Sequence, residues 1–188
     1  ALPESLARFA QAEFAFERLT RDGYRPVGFD HFALPGDALA LAMEAGTLRR
    51  NFQGFTEDPA DVLIGLGASA ISQFPGALLQ NEKNAGRYHL RIANGQFATE
   101  RGWVRSQADQ RTGTAIDRLL CQGAADLGDL ADRAATEQRL ARYVAAGLAR
   151  WEATRLVITG EGLPYARTIA AALDPYRHHS ATRFSSAI

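Results

Sequence analysis

Two short stretches carry residue types suited to binding or proton chemistry. The first places a carboxylate beside an imidazole, Asp30 next to His31. Such a pair can hold a proton or orient a polar group of a ligand, and its plain alternative is a hydrogen-bonded strand terminus. The second sets Gln53 between Phe52 and Gly54, directly after Arg49, Arg50 and Asn51. A glutamine amide can read a carboxylate or a heterocycle edge, or it can satisfy the backbone of a turn. Arginine suits carboxylates because its guanidinium forms a planar fork, while a solvated pair of arginines beside a helix end is the simpler alternative. Downstream, Gly65 and Gly67 precede a small-residue run that ends at Ile71. Glycines there let a backbone approach closely, either to a ligand or to a neighbouring element. GLG has no third glycine in register and does not make a dinucleotide fingerprint. Cys121 falls on an apolar helix face with Ile116, Leu119 and Leu120 and reads as core. His89, His178 and His179 have no partners at metal-ligand spacing and read as surface residues.

The elements that must position these residues follow from periodicity. Leu2, Leu6, Phe9, Phe16 and Leu19 recur near helical spacing, and Asp22-Gly23 supplies a stop. Tyr24 to Phe32 reads as a buried strand that would leave Asp30 and His31 at its C-terminal end, where α/β folds place functional side chains. Asp37 to Glu44 reads as a short helix ended by Gly46, and Asp61 to Leu66 as a second apolar strand. This alternation predicts the tail of an α/β sheet or barrel. Phe74-Pro75-Gly76 marks a bend beyond which the composition turns alanine-rich and helical. The expected division is therefore residues 1–76 and 77–188. In the second part Ser106 caps a helix to about Cys121. Asp126 to Ala134 reads as a turn and short helix, Thr136 to Trp151 as a longer helix, and RLVIT as a strand. Pro164 opens a last helix to about Leu173. This order is winged-helix-like.

The 188 residues, 46% of them hydrophobic, suffice for a real core. Twenty-one basic residues balance 21 acidic ones, so no field recruits nucleic acid or an anionic membrane. The helix after Ser106 also mixes Asp109 and Asp117 among its arginines, against a DNA-recognition role. No apolar run approaches the roughly 20 residues of a membrane span, and the opening residues lack a signal-peptide pattern, which points to the cytoplasm. One cysteine excludes an internal disulfide.

The blocks GFDHFA, LRRNFQGF and IGLGASAIS, together with AIDRLLC at Ala115 to Cys121 and the closing RFSSAI, resemble the C-terminal part of the oxygen-independent coproporphyrinogen III oxidases. The resemblance runs from about Leu2 onward. It implies the end of a partial TIM-like radical S-adenosylmethionine (SAM) barrel followed by a mostly helical, winged-helix-like domain that acts as a lid. It also implies that Gln53 and Ile71 contact a second SAM molecule, Gln53 giving specificity and Ile71 a wall. Arg50 matches the family while Arg49 varies, so Arg50 is the better candidate for a substrate carboxylate. Asp30 and His31 match without an assigned role, between substrate binding and support of the site.

The implied activity is oxidative decarboxylation of two propionates of coproporphyrinogen III to give protoporphyrinogen IX. The implied cofactors are SAM and a [4Fe-4S] cluster. Such clusters are held by thiolates, three in a closely spaced loop in this family, and one cysteine cannot hold one. With an opening ALPESLARF and no initiator Met, the expectation is a C-terminal fragment, inactive alone, that contributes no catalytic or metal-binding residue of its own. The missing N-terminal barrel portion would be its partner and the full-length protein a monomer. Alternatives are a haem chaperone of the same superfamily, disfavoured by NFQGF and SAIS, and a non-catalytic winged-helix interaction module, in which Asp30, His31 and Gln53 would have no purpose.

Overall fold

A computed structural model describes residues 4–177. RFSSAI, His178 and His179 lie outside the described residues. The described residues pack as two units, residues 4–57 with 114–177, and residues 58–113.

The first unit opens with α1 (Ser5–Arg21), which ends where Gly23 takes a positive φ of 92°. The expected single strand over Tyr24–Phe32 is instead a hairpin of β1 (Arg25–Val27) and β2 (His31–Ala33). Gly28 turns the chain with φ 61°, so Asp30 closes the turn and His31 opens β2, rather than both ending one strand. The expected short helix forms as α2 (Ala38–Glu44), capped by Asp37, which accepts the Leu39 N–H at 2.9 Å. A second small hairpin follows, β3 (Arg49–Arg50) with β4 (Phe55–Thr56).

The rest of this unit contains α4 (Gln107–Gln122, from Thr114 on), β8 (Ala124–Asp126), α5 (Arg133–Ala145), β9 (Ala149–Glu152), β10 (Arg155–Ile158) and α6 (Ala166–Ala171). The expected helix through Trp151 stops earlier, because Gly147 adopts φ 72° and reverses the chain. Leu148 leaves the helix and Trp151 becomes a residue of β9. Strands β8, β10 and β9 form an antiparallel sheet in that spatial order. Its buried face, with Ala125, Ala149, Leu156 and Ile158, packs with Leu119, Leu140, Tyr143 and Ile169. Arg139 ties α5 to the end of α6: its Nε donates to the Ala172 carbonyl at 2.7 Å and its Nη2 to the buried Thr136 hydroxyl at 2.8 Å. A smaller core gathers Val27, Ala33, Ala40, Ala42, Leu48 and Cys121.

The second unit contains β5 (Ile71–Phe74), β6 (Ala77–Asn81), α3 (Ala85–Ala93) and β7 (Thr99–Val104), the strands ordered β5-β6-β7 and antiparallel. Phe74-Pro75-Gly76 is the turn between two paired strands, so the packing units do not follow the composition boundary after residue 76. The expected strand Asp61–Leu66 does not form. Only Leu63 bridges to Gln73, while Val62, Ile64 and Leu66 are 45, 59 and 86% exposed. Helix α3 is capped by Asn84, whose Oδ1 accepts the Arg87 N–H at 3.0 Å. Ser106 and Asp109 exchange hydrogen bonds at the start of α4, Ser106 N–H to Asp109 Oδ2 at 2.9 Å and Asp109 N–H to Ser106 Oγ at 3.1 Å. Among the described residues the architecture is mixed α/β with every strand pair antiparallel.

Candidate functional site

The two hairpins of the first unit bring the two chemical motifs together. Registers Val27↔His31 and Arg50↔Phe55 leave the turns Gly28–Asp30 and Asn51–Gly54 as the connections. In the first turn Asp30 Oδ1 lies 2.7 Å from His31 Nδ1. A carboxylate only accepts, so Nδ1 carries the hydrogen and Nε2 faces outward from the pair. The His31 ring stands perpendicular to Phe55, at 87° and 5.1 Å between centroids, and Phe29 meets the same Phe55 ring at 5.6 Å. Phe55 occupies the space a side chain at Gly28 would need. A Cβ placed on Gly54 would lie 3.8 Å from His31 Nε2, so the imidazole borders the turn that carries Gln53.

That turn is closed by Asn51. Its Oδ1 accepts the Gln53 N–H at 2.8 Å and the Gly54 N–H at 3.3 Å, and its own N–H donates to the Gly54 carbonyl at 2.9 Å. An Asx turn of this kind fixes the backbone by a side chain two residues back. Asn51, not Gln53, therefore satisfies the turn. The Gln53 side chain is exposed and makes no hydrogen bond among the described residues, and Phe52 is 53% exposed beside it. Arg50 is partly buried on β3, and its charge reaches Cys121.

Ile71 belongs to the second unit, at the start of β5. Both glycines before it, Gly65 and Gly67, are pinned through N–H and carbonyl alike. Gly65 N–H donates to Ser72 Oγ at 3.0 Å and Gly67 N–H to the Tyr88 hydroxyl at 3.1 Å. Asn81 Nδ2 donates to the carbonyls of both glycines, at 3.1 and 3.0 Å. A Cβ on Gly65 would come within 2.6 Å of the Ile71 carbonyl oxygen, so this glycine serves close packing on the strand that bears Ile71. Nothing lies within 4 Å of a Cβ at Gly67, whose φ of 107° is the reason for glycine there. Sequence reasoning passed over Asn81 and Tyr88, which no motif marks, and over Glu82. Glu82 is 3% exposed and accepts the Asn84 N–H at 2.8 Å. That bond, and then the charges of Arg87 and Arg91, hold its carboxyl below the ordinary value despite burial.

Searched against family models, the chain matches none. It is 38% identical over 184 residues to an oxygen-independent coproporphyrinogen III oxidase of Bradyrhizobium diazoefficiens, covering 94% of this chain and 41% of that protein. The Thermostichus vulcanus protein of the same name is 37% identical over 198 residues, covering 100% of this chain and 61% of the relative. Coproporphyrinogen III oxidase from Escherichia coli, a radical SAM enzyme, superposes with a TM-score of 0.84 at 29% identity over 93% of this chain and 42% of its own. This chain is a relative of the oxygen-independent coproporphyrinogen III oxidases. It spans about two-fifths of the length of the Bradyrhizobium and Escherichia proteins.

A radical SAM oxidase uses a thiolate-held [4Fe-4S] cluster, and the residues here do not fit one. Cys121 is the single cysteine of the sequence. It is buried at 2% exposure, and loss of hydration, with a further push from Asp117, raises its thiol to about 12. No three His, Cys, Asp or Glu side chains among the described residues are grouped to hold a metal ion. No helix among them is long and apolar enough to cross a membrane.

Proposed function

We propose that this chain is the C-terminal part of an oxygen-independent coproporphyrinogen III oxidase and supplies one wall of its site, including contacts to a second SAM molecule. The observation that carries the reading is the Gln53 turn. Its backbone is closed by Asn51, which frees the Gln53 amide for a ligand. Beside it stand the half-exposed Phe52 ring, able to cover a heterocycle, and the His31 imidazole. SAM fits such a surface, having a carboxylate and an adenine for the amide to read and an apolar face for an aromatic ring. Ile71, a partly buried apolar residue at the head of β5, offers packing without polarity. Arg50 provides a cation for a substrate propionate.

When bound, SAM would supply a hydrogen-abstracting radical after taking one electron from a reduced cluster elsewhere in the longer protein, and each propionate would become a vinyl group with loss of carbon dioxide and of one electron to an acceptor outside this chain, converting coproporphyrinogen III to protoporphyrinogen IX. The residues of this chain do not generate that radical. They bind and orient: Gln53 through its amide, Phe52 and Ile71 through apolar surface, Arg50 through charge, with Asp30 and His31 as further polar groups. Residues 1–76 complete the barrel of the longer protein in this reading, and residues 77–188 form its helical domain, the two joined through the β5–β6 hairpin. The β8-β10-β9 order, with α4 and α5 preceding the β9–β10 hairpin, supports a winged-helix-like lid. The full-length protein acts as a cytoplasmic monomer.

The test is anaerobic turnover by the full-length protein, reconstituted with iron and sulfide and given SAM, a reductant and coproporphyrinogen III, with porphyrins resolved by chromatography. Conversion that is lost on Gln53→Ala is the expected result. Stoichiometric haem binding without conversion would move the protein to the haem-chaperone branch.

A further inference from the structure

His31 is exposed and yet contacted on two sides. Its side chain is 49% accessible and that of Asp30 47%. Three features orient the ring. Asp30 Oδ1 accepts from Nδ1 at 2.7 Å. Phe55 stands perpendicular to the imidazole, and Phe55 is itself held by Phe29 and by the space that Gly28 leaves unfilled. The ring thus keeps Nε2 beside Gly54, one residue from Gln53, with no Cβ at Gly54 to narrow the approach. Contacts that orient one polar group in the open organise it before any partner arrives, which lowers the ordering cost of binding.

The chemistry of that group follows from its partner. With Nδ1–H committed to a carboxylate, the imidazole in its neutral form presents a lone pair at Nε2 and no hydrogen there. Of the other charged groups on this part of the unit, the Arg167 guanidinium lies 5.9 Å from the Phe29 ring centroid, and Arg49 and Arg50 stand on β3. Acceptance from a neutral or cationic donor suits the pair better than capture of an anion, because Asp30 already places a negative charge against the ring.

We propose that His31, oriented by Asp30, is a binding residue whose Nε2 accepts a hydrogen bond from an N–H or O–H group of the molecule read by Gln53. The inference rests on the reading that the Asn51–Gly54 turn contacts a ligand. Two molecules of the proposed reaction carry such donors, SAM in its ribose hydroxyls and ammonium, and the porphyrinogen in its pyrrole N–H groups.

The experiment uses the full-length protein labelled with 15N in histidine imidazoles, and long-range proton–nitrogen spectra that distinguish the two ring nitrogens. His31→Phe, which keeps a ring against Phe55, identifies the His31 signals. The expected result is an Nδ1–H tautomer in the free protein and an Nε2 resonance that shifts on addition of SAM. His31→Phe should weaken SAM binding about threefold to tenfold, the range for one lost hydrogen bond, with an unchanged circular dichroism spectrum. A shift caused by coproporphyrinogen III and not by SAM keeps the acceptor role and assigns it to the tetrapyrrole. An Nε2–H tautomer overturns the proposal. So does SAM binding that weakens with Gln53→Ala while the His31 signals and the affinity of His31→Phe stay unchanged, an outcome that leaves the Gln53 reading intact. If neither SAM nor coproporphyrinogen III binds the unaltered protein, both readings fall together.

Discussion

The phenyl ring of Phe55 fills the place where a side chain at Gly28 would lie. Gly28 also holds φ 61°, so the position disfavours other residues on both conformational and steric grounds. Gly28→Ala is expected to destabilise the first unit by about 1–3 kcal/mol. The substitution pushes Phe55 away and with it the ring that holds His31. Thermal unfolding followed by circular dichroism checks the stability, and the His31 nitrogen signals check the local displacement; a variant as stable as the parent would contradict this packing.

Asn81 gives both protons of one amide nitrogen to Gly65 and Gly67. Asn81→Ala removes the side-chain donor of both carbonyls, leaving Gly67 only the Ala70 N–H at 3.4 Å among the described residues, and a loss of about 1–3 kcal/mol is expected. The effect should be local. Amide hydrogen exchange ought to accelerate at Gly65 and Gly67, which Ser72 and Tyr88 otherwise protect, while the amides of α5 and α6 keep their rates.

Glu82 sets an acid limit on the second unit. Its carboxyl is held below the ordinary value near 4.5, first by the Asn84 N–H and then by Arg87 and Arg91. A folded-state value lower than the unfolded one means the stabilisation is present above 4.5 and is lost as pH falls through the folded value. Thermal midpoints measured from pH 7 downward should therefore fall more steeply for the parent than for Glu82→Gln below that point. Parallel curves would show that the carboxylate contributes nothing.

Cys121 behaves in the opposite direction. Burial, foremost, raises its thiol from 9.0 to about 12, so the stabilisation of the neutral thiol is complete below 9.0 and disappears as pH rises toward 12. At pH 8 iodoacetamide is expected to leave the folded chain unmodified for hours and to alkylate it within minutes in guanidinium, as mass spectrometry would show. Rapid alkylation of the folded chain would refute burial of the thiol.

The parts legible in the sequence were those announced by a local stop or cap. Asp22-Gly23, Asp37, Gly46 and Ser106 each marked an end of α1, α2 or α4, because capping is decided within a few residues. The strands were harder to read. Val62, Ile64 and Leu66 alternate like a strand, yet no neighbouring strand pairs with them, and pairing is a tertiary fact. Tyr24 to Phe32 looked continuous because only the positive φ at Gly28 breaks it. Leu148 and Trp151 continue the spacing of α5 beyond Gly147, where the backbone has already reversed. Helix α3 was missed although Asn84 caps it and Tyr88 and Ile92 lie one turn apart; none of its nine residues is buried. At the candidate site the motifs were visible but their relationship was not. That His31 borders the Gln53 turn depends on two hairpins meeting at Phe55, which no spacing along the chain encodes.

The Asn51 turn separates two tasks that most loops combine. One side chain closes the backbone through two hydrogen bonds and Gly54 permits the bend, while Phe52 and Gln53 take no side-chain part in either. The two outward positions can therefore change while the frame that presents them stays as it is. Evolution or a protein engineer has here a two-letter slot whose side chains are exchangeable without refolding the chain.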